Sequence, residues 1–204
     1  MSVSMFAAFW AVSVLFVITP GADWAYAISA GIRGRRVMPA VAGMLGGHLI
    51  ATLIVATGIG SIIAGTPGVL SVLTVAGAGY LLWLGIGMLS HPSAPVVDQG
   101  EDAGSSMKWA LKGFCISGLN PKVFLLFLAL LPQFTDVHAA WPLPMQMTAL
   151  GLVHVVSCAV VYLLVGYGSG TMLRTRPRAA QNVSQISGGL MIIIALLLLV
   201  EWFF

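Results

Sequence analysis

Ile18-Thr19-Pro20-Gly21-Ala22-Asp23 interrupts the first long apolar segment of the chain, and Asn120-Pro121-Lys122 interrupts the fourth. Each interruption pairs a proline with an ionisable residue. Proline removes a backbone N–H and frees carbonyls that hydrocarbon cannot satisfy. A charged side chain at the centre of a lipid-spanning helix costs about 3 kcal/mol or more unless it is paired, hydrated or used. Two such breaks at corresponding places in two halves of a chain mark a secondary transporter with its site between them.

Composition agrees with a membrane setting. Of the 204 residues, 59% are apolar and only 7% charged. A soluble domain carries about 25% charged residues. The net charge of +3 is small, and no basic run with interleaved aromatics appears, so no nucleic-acid partner is expected. Met1–Ser4 has no positive charge, so the first apolar stretch is expected to be a retained helix rather than a signal peptide.

A span needs about 20 largely apolar residues. Six segments qualify, at approximately 4–32, 37–64, 68–90, 108–133, 144–173 and 182–204. The first would be ~42 Å long if fully helical, so tilt or a break is expected there. The expected fold is an all-α polytopic membrane protein. Its six transmembrane helices form two inverted three-helix repeats, with helices one and four broken. Residues 1–91 make the first repeat, 92–107 a polar cytoplasmic linker and 108–204 the second repeat. Three spans per half is an odd number, so sequential halves must be inverted. Two sequence echoes agree: Gly46-Gly47-His48 with Gly151-Leu152-Val153-His154, and Gly77-Ala78-Gly79 with Ser187-Gly188-Gly189.

Arg33, Arg35, Arg36, Lys108, Lys112, Arg174, Arg176 and Arg178 fall in alternate loops and make up eight of the nine basic residues. The positive-inside bias puts those loops in the cytoplasm and both termini outside. Trp141 and Trp202-Phe203-Phe204 are then expected at the outer interface, and Trp109 at the inner one.

The charged breaks define the candidate site: Thr19, Pro20, Gly21 and Asp23 from the first, with Asn120, Pro121 and Lys122 from the second. Lys122 is suited to a substrate carboxylate beside a half-helix N-terminus. Asp23 is suited to proton coupling. His48 and His154 are intramembrane imidazoles in echoing positions. Each is a helix-to-helix hydrogen bonder, a proton relay or, least favoured, part of a metal site of the two histidines with Asp23. Cys115 and Cys158 make neither metal nor CxxC spacing and read as small packing residues. Gly43-x-x-x-Gly47 permits close helix packing. Gly166-Tyr167-Gly168-Ser169-Gly170 lacks the strand and lysine of a phosphate loop. No enzyme activity, cofactor or bound metal is expected.

The two motifs also carry a family resemblance. Ile18–Asp23, followed by Gly31-Ile32-Arg33-Gly34-Arg35, resembles the first signature of the lysine-exporter (LysE/RhtB) family. Asn120-Pro121-Lys122, followed by Phe124, Phe127 and Leu131-Pro132-Gln133-Phe134, resembles the second. Ala22 departs from the pattern, where the family usually has a second proline. The resemblance covers the whole chain. It implies export of amino acids or close derivatives, driven by protons, across the bacterial inner membrane, with a homo-oligomer left open. A metal-ion exporter is the nearest rival, with only Asp23, His48 and His154 as ligands. A membrane thiol–disulfide reductase, which would need a cysteine at each break, is the remaining alternative.

Overall fold

The structure, a computed structural model, describes residues 1–32, 36–65, 68–91, 105–168 and 177–203. Arg33, Arg35, Arg174, Arg176 and nearly all of the central linker lie outside the described residues. Within them the chain is helical, with no strand. In chain order the helices are α1 (Val3–Ile18), α2 (Ala22–Ile32), α3 (Val37–Gly65), α4 (Val69–Ser90), α5 (Ser106–Gly118), α6 (Pro121–Leu130), α7 (Leu143–Gly168) and α8 (Pro177–Phe203). A 3-10 turn, Leu131–Phe134, extends α6. Thus α8 begins five residues earlier than the sixth apolar segment, and α5 takes Ser106 and Met107 from the expected linker.

Within α3, Val37–Ile59 is long and apolar enough to cross a membrane alone, as is α7. Two further spans arise if each bent pair is counted as one. The chain turns by 61° between α1 and α2, and by 51° between α5 and α6. The apolar stretches of α4 and α8 run Thr74–Ser90 and Gln185–Val200. The outward surface is itself apolar, with Ile54, Trp83, Val156, Leu164, Ile193 and Leu197 exposed. So much contiguous apolar surface belongs against lipid, not water.

Small residues set the helix spacings. A Cβ on Gly43 would strike the Ala110 carbonyl, and one on Gly47 would come 2.5 Å from the Gly118 amide, so α3 and α5 touch backbone to backbone. Likewise a Cβ on Gly85 would meet the Gly188 carbonyl at 2.7 Å, and one on Gly188 would meet the Gly85 carbonyl at 2.8 Å. Hence α4 and α8 cross at reciprocal glycines. Such contacts replace the hydrophobic drive that lipid cannot supply.

Around these crossings the buried side chains form two apolar clusters. One includes Phe9, Phe16, Leu81, Leu126, Phe127, Leu150 and Met191. The other includes Val17, Tyr26, Val41, Met44, Trp109 and Tyr162. Trp109, expected at the inner interface, is buried between helices. It stacks on Tyr26 with ring centroids 5.2 Å apart, and its carbonyl accepts from the Tyr26 hydroxyl at 2.7 Å. The α3–α5 contact brings this ring inward.

Candidate functional site

The first break is stabilised locally. With no N–H on Pro20, the Phe16 carbonyl accepts instead from the Thr19 amide at 3.2 Å. The Thr19 hydroxyl donates to the Leu15 carbonyl. The Val17 carbonyl, orphaned by the turn, accepts from the Trp24 indole N–H at 2.8 Å. A side chain in the following half-helix thus satisfies a carbonyl of the preceding one. The amides of Ala22, Asp23 and Trp24, the first of α2, have no acceptor among the described residues.

The second break is built differently. Asn120 caps α6, and its side-chain oxygen accepts from the Lys122 amide at 3.0 Å. Its backbone carbonyl accepts from Val123 at 3.0 Å and Phe124 at 3.3 Å. Pro121 occupies the first helical position, where a missing N–H costs nothing. The first amides of α6 are therefore already engaged. The half-helix end with unengaged N–H groups is α2, not α6 beside Lys122 as the sequence suggested.

Both breaks open onto one cavity of about 50 Å³, where the two apolar clusters meet. Its wall includes Thr19, Gly21, Asp23, Trp24, His48, Asn120, Lys122, His154 and Tyr162, with Phe16, Val17, Val123 and Leu126 as the apolar part. Five of the seven break residues expected to bind substrate line it, together with both histidines. Pro20 lines a second cavity of about 220 Å³, which also contains Thr19, Trp83, Gly87, His91 and Lys122. Thr19 and Lys122 belong to both cavities and so stand between them.

Asp23 and Lys122 do not close on each other. The Ser117 hydroxyl, on α5, donates to Asp23 Oδ1. Tyr162, on α7, is turned towards both Asp23 and Cys158. Lys122 is near enough to feel the Asp23 charge, yet the two form no ion pair within 4.0 Å. On the wall of the same cavity, the His48 and His154 rings lie 5.5 Å apart across α3 and α7. The Phe127 ring meets both imidazoles edge to face, at 6.4 and 5.0 Å. His48 Nδ1–H donates to the Met44 carbonyl at 2.9 Å, and His154 Nδ1 lies 2.7 Å from Ser13 Oγ.

The description "LysE type translocator" belongs to the family model that matches residues 14–202, nearly the whole chain. The chain belongs to the LysE type translocator family. The translocator is thus a multi-pass membrane protein that moves a small molecule, and not an enzyme. It is 26% identical to a leucine efflux protein of Klebsiella pneumoniae over 182 residues, covering 86% of this chain and 85% of that one. It is 28% identical to an uncharacterized membrane protein of Vibrio cholerae over 170 residues, covering 82% and 80%. A leucine efflux protein of an Enterobacter species is 28% identical over 141 residues, covering 64% and 65%. No solved structure matches.

Sequence reasoning missed Ser13, Trp24, Ser117 and Tyr162. Ser13, Ser117 and Tyr162 are isolated polar or aromatic residues in largely apolar runs, and Trp24 directly follows Asp23. Only Trp24 has its partner nearby, seven positions away. Ser117 lies 94 positions from Asp23, and Ser13 lies 141 from His154. The signal that could have found Cys158 is its four-residue spacing from His154, which places both on one face of a helix.

Proposed function

We propose that the translocator exports amino acids or close derivatives, apolar ones such as leucine foremost, from the cytoplasm across the bacterial inner membrane by proton antiport. The observation that carries this reading is that Asp23 and Lys122 face one cavity from opposite helix breaks without pairing. A merely structural pair in lipid would be expected to close to contact, because separation leaves both charges undersatisfied. An open pair of opposite charges suits a zwitterion. Its carboxylate takes Lys122 and the free amides of α2, and its ammonium takes Asp23. The neighbouring Phe16, Val17, Val123 and Leu126 suit an apolar side chain. The names of two relatives point the same way. As cargo, a zwitterion matches fixed charges of both signs, whereas a metal cation matches only Asp23.

The cavity is far below the roughly 300–1,000 Å³ of ligand sites. It has space for a few waters. It therefore reads as an occluded state. The larger cavity beside Thr19 and Lys122 is the access route from the C-terminal, cytoplasmic end of α4.

Six spans in two inverted repeats remain the best architecture. In support, α4 and α8 repeat one burial pattern. Gly77, Ala78, Leu81 and Gly85 are buried in α4, and so are Ser187, Gly188, Met191 and Ala195 in α8. The echoing residues His48 and His154 meet, as residues near a two-fold axis would. For the proton, Asp23 is the acceptor, held by Ser117 and faced by Tyr162, with His48 and His154 on the same cavity wall.

Uptake of labelled leucine into inside-out vesicles tests the zwitterion requirement. Unlabelled leucine should compete, while the amine lacking the carboxylate and the acid lacking the amine should not. Equal competition by all three would reject paired-charge recognition.

A further inference from the structure

We propose that His48, His154 and Cys158 form a site for a borderline-to-soft divalent cation, Zn²⁺ or its analogue Cd²⁺, which ties α3 to α7 and arrests transport. The three ligand atoms lie within 4.8 Å of one another. His154 and Cys158 project from one face of α7, and His48 meets them from α3. All three residues are buried, the two histidines at 1% and 3% exposure.

Ligand orientation is already set. The hydrogen bond from His48 Nδ1–H to the Met44 carbonyl leaves Nε2 as the lone-pair nitrogen. Metal-binding imidazoles are commonly held in this way, by a backbone carbonyl on the other ring nitrogen. In the tautomer where Ser13 Oγ accepts from His154 Nδ1–H, Nε2 of His154 is a lone pair as well. Among the described residues neither Nε2 has a hydrogen-bond partner. A cation satisfies both nitrogens at once.

Nitrogen ligands at about 2.0–2.1 Å and a thiolate at about 2.3 Å from tetrahedral zinc stand roughly 3.3–3.6 Å apart, so a pair at the full 4.8 Å must close by about 1.2–1.5 Å. Both histidines line the central cavity, which offers the fourth position to water. As the metal–sulfur bond forms, the Cys158 S–H bond breaks and its proton passes to unbound water of the cavity and on to solvent, so binding releases one proton per ion. Asp23 is close enough to act on Cys158 and offsets part of the positive charge. Two imidazoles and a thiolate suit zinc and cadmium, and disfavour magnesium and calcium.

The metal site itself rests on packing. Only its effect on transport rests on the export reading. Co²⁺ titrated into the purified full chain should give a thiolate-to-cobalt charge-transfer absorption. Cys158→Ser and Cys158→Ala should both abolish it, and His154→Gln should weaken cobalt affinity at least tenfold. In inside-out vesicles Cd²⁺ should inhibit leucine uptake by the wild type. Uptake by Cys158→Ser should match the wild type without metal and resist Cd²⁺. The proposal is overturned by no absorption in the wild type, or by absorption that persists in both cysteine variants. Equal inhibition of wild type and Cys158→Ser would overturn it too, and so would Cd²⁺ accumulating as cargo. A wild type that moves no leucine yet binds Co²⁺ through Cys158 would reject the export reading and keep the metal site.

Discussion

Asp23 is where two explanations of the buried charges part. If it accepts the coupling proton, Asp23→Asn removes the charge that must alternate and leaves a side chain of the same shape. Gradient-driven leucine uptake into inside-out vesicles should then fall to background, while exchange of internal for external leucine survives. If Asp23 only neutralises Lys122, the single variant leaves a buried charge unpaired, and the double variant Asp23→Asn with Lys122→Met should recover both folding and transport. A transport-competent double variant that still follows the proton gradient would eliminate Asp23 as the coupling group. The open geometry between the two charges favours the first outcome. At this scale the charged residues of the candidate cavity were legible in the sequence, because a lone charge in an apolar run is conspicuous. It could not show that Ser117 holds the carboxylate or that Trp24 satisfies the Val17 carbonyl. Serine and tryptophan are ordinary occupants of membrane helices, and only the three-dimensional meeting gives them a role.

Helix contacts make sharper predictions about tolerance. Gly43→Ala drives a methyl into the Ala110 backbone, which cannot move without separating α3 from α5. A loss of about 1–3 kcal/mol is expected, as for other overpacked positions. It should appear as a lower unfolding temperature of the purified protein. Gly58→Ala on the same helix, with open space around it, should leave that temperature unchanged. Gly87 separates folding from passage. A Cβ there meets nothing within 4 Å, yet Gly87 lines the larger cavity beside Lys122. Gly87→Leu should fold like the wild type and slow leucine uptake. Unchanged uptake would remove that cavity from the route. The broken helices were legible from Pro20 and Pro121, since proline leaves few alternatives in a membrane helix. Their different capping was not. Asn120 engages the α6 amides, whereas Gly21 leaves those of α2 free, and that difference lies in backbone geometry.

Over the whole molecule, the distribution of basic residues requires an orientation. Reporter fusions at Gly65, Asp136 and the C-terminus should read periplasmic, and those at Gly34, Gly100 and Arg176 cytoplasmic. A cytoplasmic C-terminus would contradict both the six spans and the inverted repeat. The apolar surface and low charge made the membrane setting plain from composition. The meeting of His48 with His154 and Cys158 was hidden, because it depends on how α3 crosses α7. The most direct measurement is proton-driven uptake of a panel of radiolabelled amino acids into inside-out vesicles by wild type and Lys122→Met, at matched membrane levels. The wild type should accumulate leucine or a similar apolar amino acid only with a proton gradient, and Lys122→Met should insert normally but accumulate none. Near-normal accumulation by Lys122→Met would take Lys122 out of the site and leave the paired-charge mechanism without its cation.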